Sequence, residues 1–276
     1  MYKINKWIPP ANGKKYRSAV EKHNDIATEY EEQYKTLYWK IYDKLTYDHM
    51  FDNIENSKGV VLDAGGGTGK WARIFAKKGY EVIVTDLSSQ MLKQGEKYAK
   101  EEGLLNRMSF VKGDICNLPF WDKKFDITIS QGNPVCYSNN PEKAISEIAR
   151  VTKQGGDVVI SVHNKLAMMH YFYYIMGKVS FNDLLNFSKT NRIYIDFPIY
   201  AFTPNKLIEM CQKYNLCIKS IVGKQLISGY VQSENYLHIL SDKKLFDKTI
   251  ELEKKYWSSR DAIGMASHLE VSCRKE

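Results

Sequence analysis

The feature that most constrains this fold is a glycine-rich segment that directly follows a short apolar run. The run is Gly59-Val-Val-Leu-Asp63, and the chain continues as Ala-Gly-Gly-Gly-Thr-Gly-Lys-Trp71. A continuous apolar run bounded by glycines is typical of a strand that is buried on both faces of a sheet. Glycine permits a positive φ and lets a ligand approach the backbone. We therefore expect a strand, a tight turn that contacts a ligand, and a helix.

The rest of the chain alternates between strand and helix patterns. The apolar pattern predicts further strands at 81–85, 108–112, 125–130, 156–162, 217–225 and 268–273, and helices at 69–78, 88–102, 141–152 and 242–257. Strands separated by helices of roughly 10–15 residues indicate a parallel sheet that is covered by helices on both faces. The sequence therefore predicts an α/β fold with a doubly wound, mostly parallel, seven-stranded sheet.

Two segments fall outside this alternation. Residues 1–56 are expected to form an N-terminal helical cap, because apolar side chains recur there at helical spacing: Ile26, Tyr30, Tyr34, Leu37, Ile41 and Leu45. The remaining 57–276 form the main domain, with an aromatic-rich insertion at 164–202 that is too short for a core of its own. The aromatic side chains of both segments are expected either to pack the core or to close over a ligand: Tyr30, Tyr34, Tyr38 and Trp39 in the cap, and Tyr171, Phe172, Tyr173 and Tyr174 in the insertion.

The composition indicates the cellular environment in which we expect the protein. The longest apolar stretch, 167–176, is too short to span a bilayer, and residues 1–10 lack the apolar core of a signal peptide. The five cysteines are an odd number with no pair spaced two residues apart, which favours reduced thiols over disulfides or a metal site. We expect a soluble, cytoplasmic protein that binds no metal and no membrane.

The net charge of +8 is unevenly distributed. Residues 159–230 carry 8 basic and 3 acidic side chains, whereas the other parts of the chain are nearly balanced. Such an excess either attracts an anionic substrate or a nucleic acid, or only raises solubility.

The glycine segment fits neither of two familiar phosphate-binding loops. The dinucleotide-binding pattern requires glycine where Lys70 stands, and the P-loop requires glycine at Ala64 and a hydroxyl residue at Trp71. The segment is therefore not expected to hold a pyrophosphate or a triphosphate.

Acidic residues follow three successive predicted strands. Asp63 ends the first, Asp86 ends the second about twenty residues beyond the glycines, and Asp114 follows the third. A carboxylate at the position of Asp86 is placed to accept both hydroxyls of a ribose. Asp114 is placed to meet an adenine amino group, with Leu87 and Ile115 on either side of the ring. Three acids at one edge of the sheet favour a cationic nucleoside over a phosphate.

The ordered motifs of residues 59–163 resemble those of class I S-adenosylmethionine-dependent methyltransferases. They are Leu-Asp-Ala-Gly-Gly-Gly-Thr-Gly, Thr-Asp-Leu-Ser, Gly-Asp-Ile, Phe-Asp-Ile-Thr-Ile-Ser-Gln-Gly and Gly-Gly-Asp-Val-Val-Ile. The resemblance implies the Rossmann-like methyltransferase fold and S-adenosyl-L-methionine as cofactor. It also implies a role for each matching residue: Asp63, Ala64, Gly65 and Gly67 at the methionine portion, Asp86 at the ribose, Asp114 and Ile115 at the adenine, and Ser130 and Gln131 near the sulfonium.

Residues 157–276 are similar to bacterial methyltransferases that esterify 5-carboxymethoxyuridine at the tRNA wobble position. The shared features include Val-Ile-Ser-Val-His-Asn at 159–164 and the closing Ser-His-Leu-Glu-Val-Ser-Cys. The segment 131–137, which follows the fourth strand, departs from that pattern. The acceptor that we expect is a small molecule, because the insertion is compact and no RNA-binding module is appended. A tRNA methyltransferase acting on a modified wobble uridine and a catalytically silent cofactor-binding protein are the alternatives.

Methyl transfer needs a general base only if the acceptor is protonated at the working pH. His163 is the first candidate for that base because it follows the fifth strand, and His170 in the insertion is the second. Tyr137 lies where an acceptor is expected to contact it. A lone histidine at a strand end also serves as a capping or packing residue.

Overall fold

A seven-stranded, mostly parallel sheet forms the centre of the molecule, as the sequence predicts. The computed structural model describes residues 16–170, 180–194, 197–230, 239 and 242–276. Two short strands form a separate antiparallel pair, β6 with β7. The strands in chain order are β1 (Val60–Ala64), β2 (Glu81–Asp86), β3 (Met108–Lys112), β4 (Phe125–Ser130), β5 (Thr152–His163), β6 (Arg192–Tyr194), β7 (Pro198–Tyr200), β8 (Leu216–Lys224) and β9 (His268–Lys275).

Helices lie on both faces of the sheet and over the carboxyl ends of its strands. Short 3₁₀ turns occur at Tyr30–Lys35, Ser228–Tyr230 and Ile263–Met265. The α-helices are α1 (Ala19–Ile26), α2 (Leu37–Asn53), α3 (Lys70–Lys77), α4 (Ser89–Glu101), α5 (Pro134–Tyr137), α6 (Pro141–Val151), α7 (Lys165–His170), α8 (Phe181–Thr190), α9 (Pro204–Lys213) and α10 (Lys243–Tyr256).

In the strand order β3-β2-β1-β4-β5-β9-β8, the direction in which successive strands are added to the sheet reverses between β1 and β4. The first five strands of this order are parallel, and β9 pairs antiparallel with β5 and β8. In open α/β sheets, ligands bind outside the carboxyl ends of the strands at such a reversal. The fold therefore opens a crevice at the ends of β1 and β4.

The N-terminal stripe is not one continuous helix, contrary to the sequence prediction. It is divided into α1, the 3₁₀ turn Tyr30–Lys35 and α2, and Thr36 between the last two has an extended backbone. The turn is held by tertiary contacts, because the Glu31 carboxylate pairs with Arg73 at 2.8 Å and accepts a hydrogen bond from the Thr68 hydroxyl. These contacts to Thr68 and to Arg73 of α3 stabilise the 3₁₀ turn in place of a continuous helix.

The fifth strand is longer than the predicted 156–162, since it begins at Thr152. The Thr152 hydroxyl donates to the carbonyl of Ile148, and the pairing of β4 with β5 shifts register between Phe125 and Ile127. Within the described residues, no helix is long and apolar enough to cross a membrane. The aromatic run at 171–174 lies outside the described residues.

Candidate functional site

One pocket lies over the carboxyl ends of β1, β2 and β4, and we call it the strand-end pocket. Its floor is the glycine loop, and the N-terminal segment covers it from above. Its lining includes His23, Tyr30, Tyr34, Gly65, Gly66, Gly67, Lys70, Asp86, Leu87, Met91, Asp114, Ile115, Gln131 and Tyr137.

The glycine loop after β1 is a tight turn that leaves no room for side chains. The N–H groups of Gly65 and Gly66 both donate to the carbonyl of Thr85, at 2.7 and 3.1 Å. Gly65 has a φ of +72°, and a Cβ there would lie 2.4 Å from the Cβ of Pro134. Only glycine meets both conditions without strain. The loop thus exposes backbone to the strand-end pocket.

Asp86 at the end of β2 is fixed from two sides. One carboxylate oxygen accepts the N–H of Gly67 at 3.0 Å, and the other accepts the N–H of Ser88 at 2.8 Å. Burial raises the pKa of Asp86 above its ordinary value, and the backbone N–H donors act in the opposite direction. The remaining lone pairs of this carboxylate are available to ligand hydroxyls.

Asp114 and two apolar side chains line another part of the same pocket. Asp114 accepts the N–H of Cys116 at 2.8 Å, which orients its carboxylate at the start of the turn after β3. Ile115 is buried and Leu87 is 38% exposed, and both face the pocket. An acid between two aliphatic side chains offers an acceptor to a flat ring and apolar surface to its faces.

Three of the expected cofactor residues lie behind the wall of the pocket. Ala64 and Ser130 are fully buried, and Asp63 is 1% exposed. Asp63 lies beneath the loop, where a Cβ on Gly66 would be 2.5 Å from its Cγ. Burial raises the pKa of Asp63 to about 7, with the backbone N–H of Ala72 opposing the shift. Asp63 therefore lies behind the loop, whereas Asp86 and Asp114 line the pocket.

Gln131 shows that the pocket suits a polar ligand. Both its amide nitrogen and its amide oxygen are buried without a hydrogen-bond partner, and the residue lines the pocket just after β4. Leaving such groups unpaired costs about 1–3 kcal/mol each, so a ligand that supplies a donor and an acceptor is stabilised there. The ammonium and carboxylate of a methionine moiety meet this requirement. The residues present therefore fit S-adenosylmethionine.

His163 does not line the pocket, whereas Tyr137 does. The Tyr137 hydroxyl lies 3.0 Å from His163 Nε2, so the histidine reaches the pocket through the tyrosine. Burial lowers the pKa of His163 to about 4, and burial raises the pKa of Tyr137. Both groups are therefore neutral near pH 7. His170 ends α7 with an exposed side chain and is not part of the wall.

The covering segment contributes further residues to the pocket wall. The sequence alone did not identify one of them, His23, and left the role of Tyr30 and Tyr34 undecided. Tyr30 and Tyr34 line the pocket and share a hydrogen bond of 3.0 Å, whereas Tyr38 bonds to His268 at 2.9 Å away from the wall. His23 of α1 also lines the pocket. No spacing or motif marks this histidine, because it faces the site only when α1 folds back over the sheet.

A family comparison agrees with the geometry of the site. Residues 61–156 match the family model described as a methyltransferase domain. This part of the chain is similar to methyltransferase domains. It contains the glycine loop, Asp86, Asp114 and Gln131, which together form the floor and one wall of the strand-end pocket.

Curated relatives are similar to a little more than a third of this chain. A demethylmenaquinone methyltransferase from Renibacterium salmoninarum is 39% identical over 102 residues, which are 37% of this chain and 40% of the relative. A ubiquinone/menaquinone biosynthesis C-methyltransferase from Yersinia pestis is 36% identical over 110 residues, 38% and 43% of the two chains. The chain thus spans about two fifths of the length of these relatives.

The overall fold has counterparts among solved structures. A methyltransferase from Methanosarcina mazei superimposes with a TM-score of 0.59 at 17% identity, covering 82% of this chain and 96% of its own. This likeness concerns the fold alone.

Proposed function

We propose that the protein transfers a methyl group from S-adenosylmethionine to a small-molecule acceptor. The observation that carries this proposal is the unpaired amide of Gln131 in the same pocket as Asp86 and Asp114. The three residues offer partners to the methionine, ribose and adenine portions of one ligand, in that order along the sheet. The bound cofactor supplies an activated methyl group.

Alignment is the main contribution that the protein makes to such a reaction. Holding the nucleophile in line with the methyl carbon contributes up to about 7–11 kcal/mol. Asp86 and the glycine loop hold the nucleoside, and the N-terminal cover confines the acceptor to the remaining space. Tyr30 and Tyr34 in that cover also exclude water from the pocket.

The charge distribution supports a small acceptor over a tRNA. Many of the basic side chains of residues 159–230 are already paired within the described part of the chain. Ion pairs to acidic residues occupy Lys206, Lys213, Lys219 and Lys224. Lys165 is buried and donates to the carbonyl of Ser188. Phosphate binding requires basic side chains free to replace counterions.

The relatives favour a quinone-like acceptor within the small-molecule class. Their names assign them to menaquinone and ubiquinone biosynthesis. The pocket cover that faces the acceptor lies in residues 16–35, outside the aligned domain. We therefore take methyl transfer from the relatives, but not the atom that receives the methyl group, and we infer the acceptor from this chain's own cover.

Transfer of radiolabelled methyl from S-adenosylmethionine into a host-cell extract tests the proposal. The extract is separated into small-molecule, RNA and protein fractions, and Asp86→Ala serves as the inactive control. Label in the small-molecule fraction that disappears with Asp86→Ala is the expected result. Nuclease-sensitive label in RNA would instead support a tRNA methyltransferase. Cofactor binding with no label in any fraction would favour a silent cofactor-binding protein.

A further inference from the structure

The hydrogen bonding of His23 fixes which of its ring nitrogens is free. Nδ1 lies 2.8 Å from the carbonyl oxygen of Ala19, one turn earlier in α1. A carbonyl only accepts, so Nδ1 carries the proton and donates it. In a neutral imidazole the other nitrogen, Nε2, then has an unshared lone pair. In this tautomer Nε2 is the ring nitrogen that can accept a proton.

The environment of His23 keeps the ring neutral. Burial lowers its pKa to about 4, and the neighbouring Lys22 ammonium acts in the same direction. The rings packed against it are those of Tyr30 and Tyr137, with centroids 5.7 and 6.1 Å away. Neither phenol carries a charge near pH 7, because burial raises the pKa of both.

His23 is placed on the acceptor side of the strand-end pocket. The nucleoside partners Asp86 and Asp114 follow β2 and β3, on one side of β1. Tyr137 follows β4, on the other side, and His23 contacts its ring. The helix that carries His23 is anchored to the sheet, because the Asn24 side-chain oxygen accepts the Ser88 hydroxyl at 2.7 Å.

The pocket wall is chemically selective. Its lysine, Lys70, already pairs with Asp43 and lies over the Tyr34 ring, so its charge is not free to bind a carboxylate. Tyr30, Tyr34 and Tyr137 instead offer ring edges and faces, which favour a flat ring. An unprotonated imidazole and a phenol hydroxyl favour an acceptor that carries a hydroxyl group.

We propose that His23 is the catalytic base for methyl transfer to a hydroxylated aromatic acceptor, which binds in the strand-end pocket against the wall that His23 and Tyr137 form. This inference rests on the proposed function and extends it to a substrate class. The acceptor hydroxyl gives its proton to Nε2, and the electron pair released forms a bond from oxygen to the methyl carbon. The bond between that carbon and sulfur breaks, and its electron pair stays on sulfur. The products are the methyl ether, S-adenosylhomocysteine and a protonated His23.

His23→Gln removes the basic nitrogen and keeps a polar side chain of similar length. Glu29→Gln, an exposed change in the same covering segment, is the matched control. The probes are catechol, whose hydroxyls are protonated at neutral pH, and 4-nitrocatechol, which is ionised at the assay pH. We expect His23→Gln to lower kcat for catechol about a hundredfold. The loss should nearly disappear with 4-nitrocatechol, because its more acidic hydroxyl is already ionised and that oxygen can attack the methyl carbon without a base.

The outcomes separate this inference from the proposed function. Calorimetry of S-adenosylhomocysteine with the unaltered protein comes first, since absent binding contradicts the proposed function itself. With binding intact, an equal loss of kcat for both probes would mean that His23 has a structural role and would overturn the inference. The assignment of the substrate class would fall if the unaltered protein methylated neither probe.

Discussion

The backbone N–H of Gly67 donates to the Asp86 carboxylate at 3.0 Å and so connects the glycine loop after β1 to the end of β2. The second oxygen of Asp86 accepts the N–H of Ser88, where α4 begins. The carboxylate is therefore oriented by the protein itself. A ligand that binds it does not bear the cost of ordering the side chain, which is the basis of preorganised binding.

Asp86→Ala removes both of these contacts and the proposed ribose partner. We expect the dissociation constant of S-adenosylhomocysteine, measured by isothermal calorimetry, to rise at least about tenfold, since hydrogen bonds to a charged group contribute about 1.5–3 kcal/mol. Asp247→Ala, on the exposed face of α10, is the control. Affinity equal to that of the unaltered protein would exclude Asp86 from the binding site.

Gly65→Ala tests whether the loop needs glycine for its backbone or for its surroundings. Gly65 and Gly103 have nearly the same φ, +72° and +70°, but a methyl group at Gly65 would lie 2.4 Å from Pro134, whereas one at Gly103 would have no atom within 4 Å. A left-handed backbone costs about 1–2 kcal/mol in both variants. We expect Gly65→Ala to lose a further 1–3 kcal/mol or so from overpacking, measured as the free energy of unfolding in urea. Equal losses in the two variants would show that Pro134 yields without cost.

Strand ends were predictable from the sequence because they depend on local pattern. The apolar run before Asp63 and the acid at Asp86 are each bounded by turn residues, and the observed strands end within a residue or two of the predicted positions. The parallel order then follows from the helices between the strands. These features need no knowledge of distant contacts.

The cover of the pocket was not predictable in the same way. Its 3₁₀ turn depends on the pair between Glu31 and Arg73, which are 42 residues apart in the chain. The same holds for His23, which meets Tyr137 only after α1 has docked. Helical spacing reports only on local sequence. It therefore predicts a continuous helix even where tertiary contacts interrupt one.

The buried carboxyl of Asp63 predicts a dependence of stability on pH. Burial raises its pKa to about 7 from an ordinary value of 3.8, so between these values the folded protein holds a proton that the unfolded chain has released. The contribution to stability is present at low pH and is lost as pH rises toward 7. Asp63→Asn removes this pH dependence, because the asparagine side chain does not titrate. The free energy of unfolding of the variant minus that of the unaltered protein should rise between pH 4 and 7, by about 4 kcal/mol at the upper limit. A constant difference across this range would contradict the raised pKa.

Lys224 and Glu270 form a buried ion pair that attaches α2 to the sheet. Both side chains are fully buried, their charged atoms are 2.6 Å apart, and the Lys224 ammonium also donates to the Thr46 hydroxyl at 2.6 Å. His49 of the same helix lies 2.7 Å from the second oxygen of Glu270. Removing one member of such a pair leaves an uncompensated buried charge.

Lys224→Met is therefore expected to lower the free energy of unfolding by about 3–5 kcal/mol, measured by chemical denaturation. Lys248→Met, on the exposed side of α10, is the control and should change it by less than about 0.5 kcal/mol. Adding Glu270→Gln to Lys224→Met removes the stranded charge and should recover part of the loss. A double variant as unstable as the sum of the two single variants would mean that the two side chains are not energetically coupled.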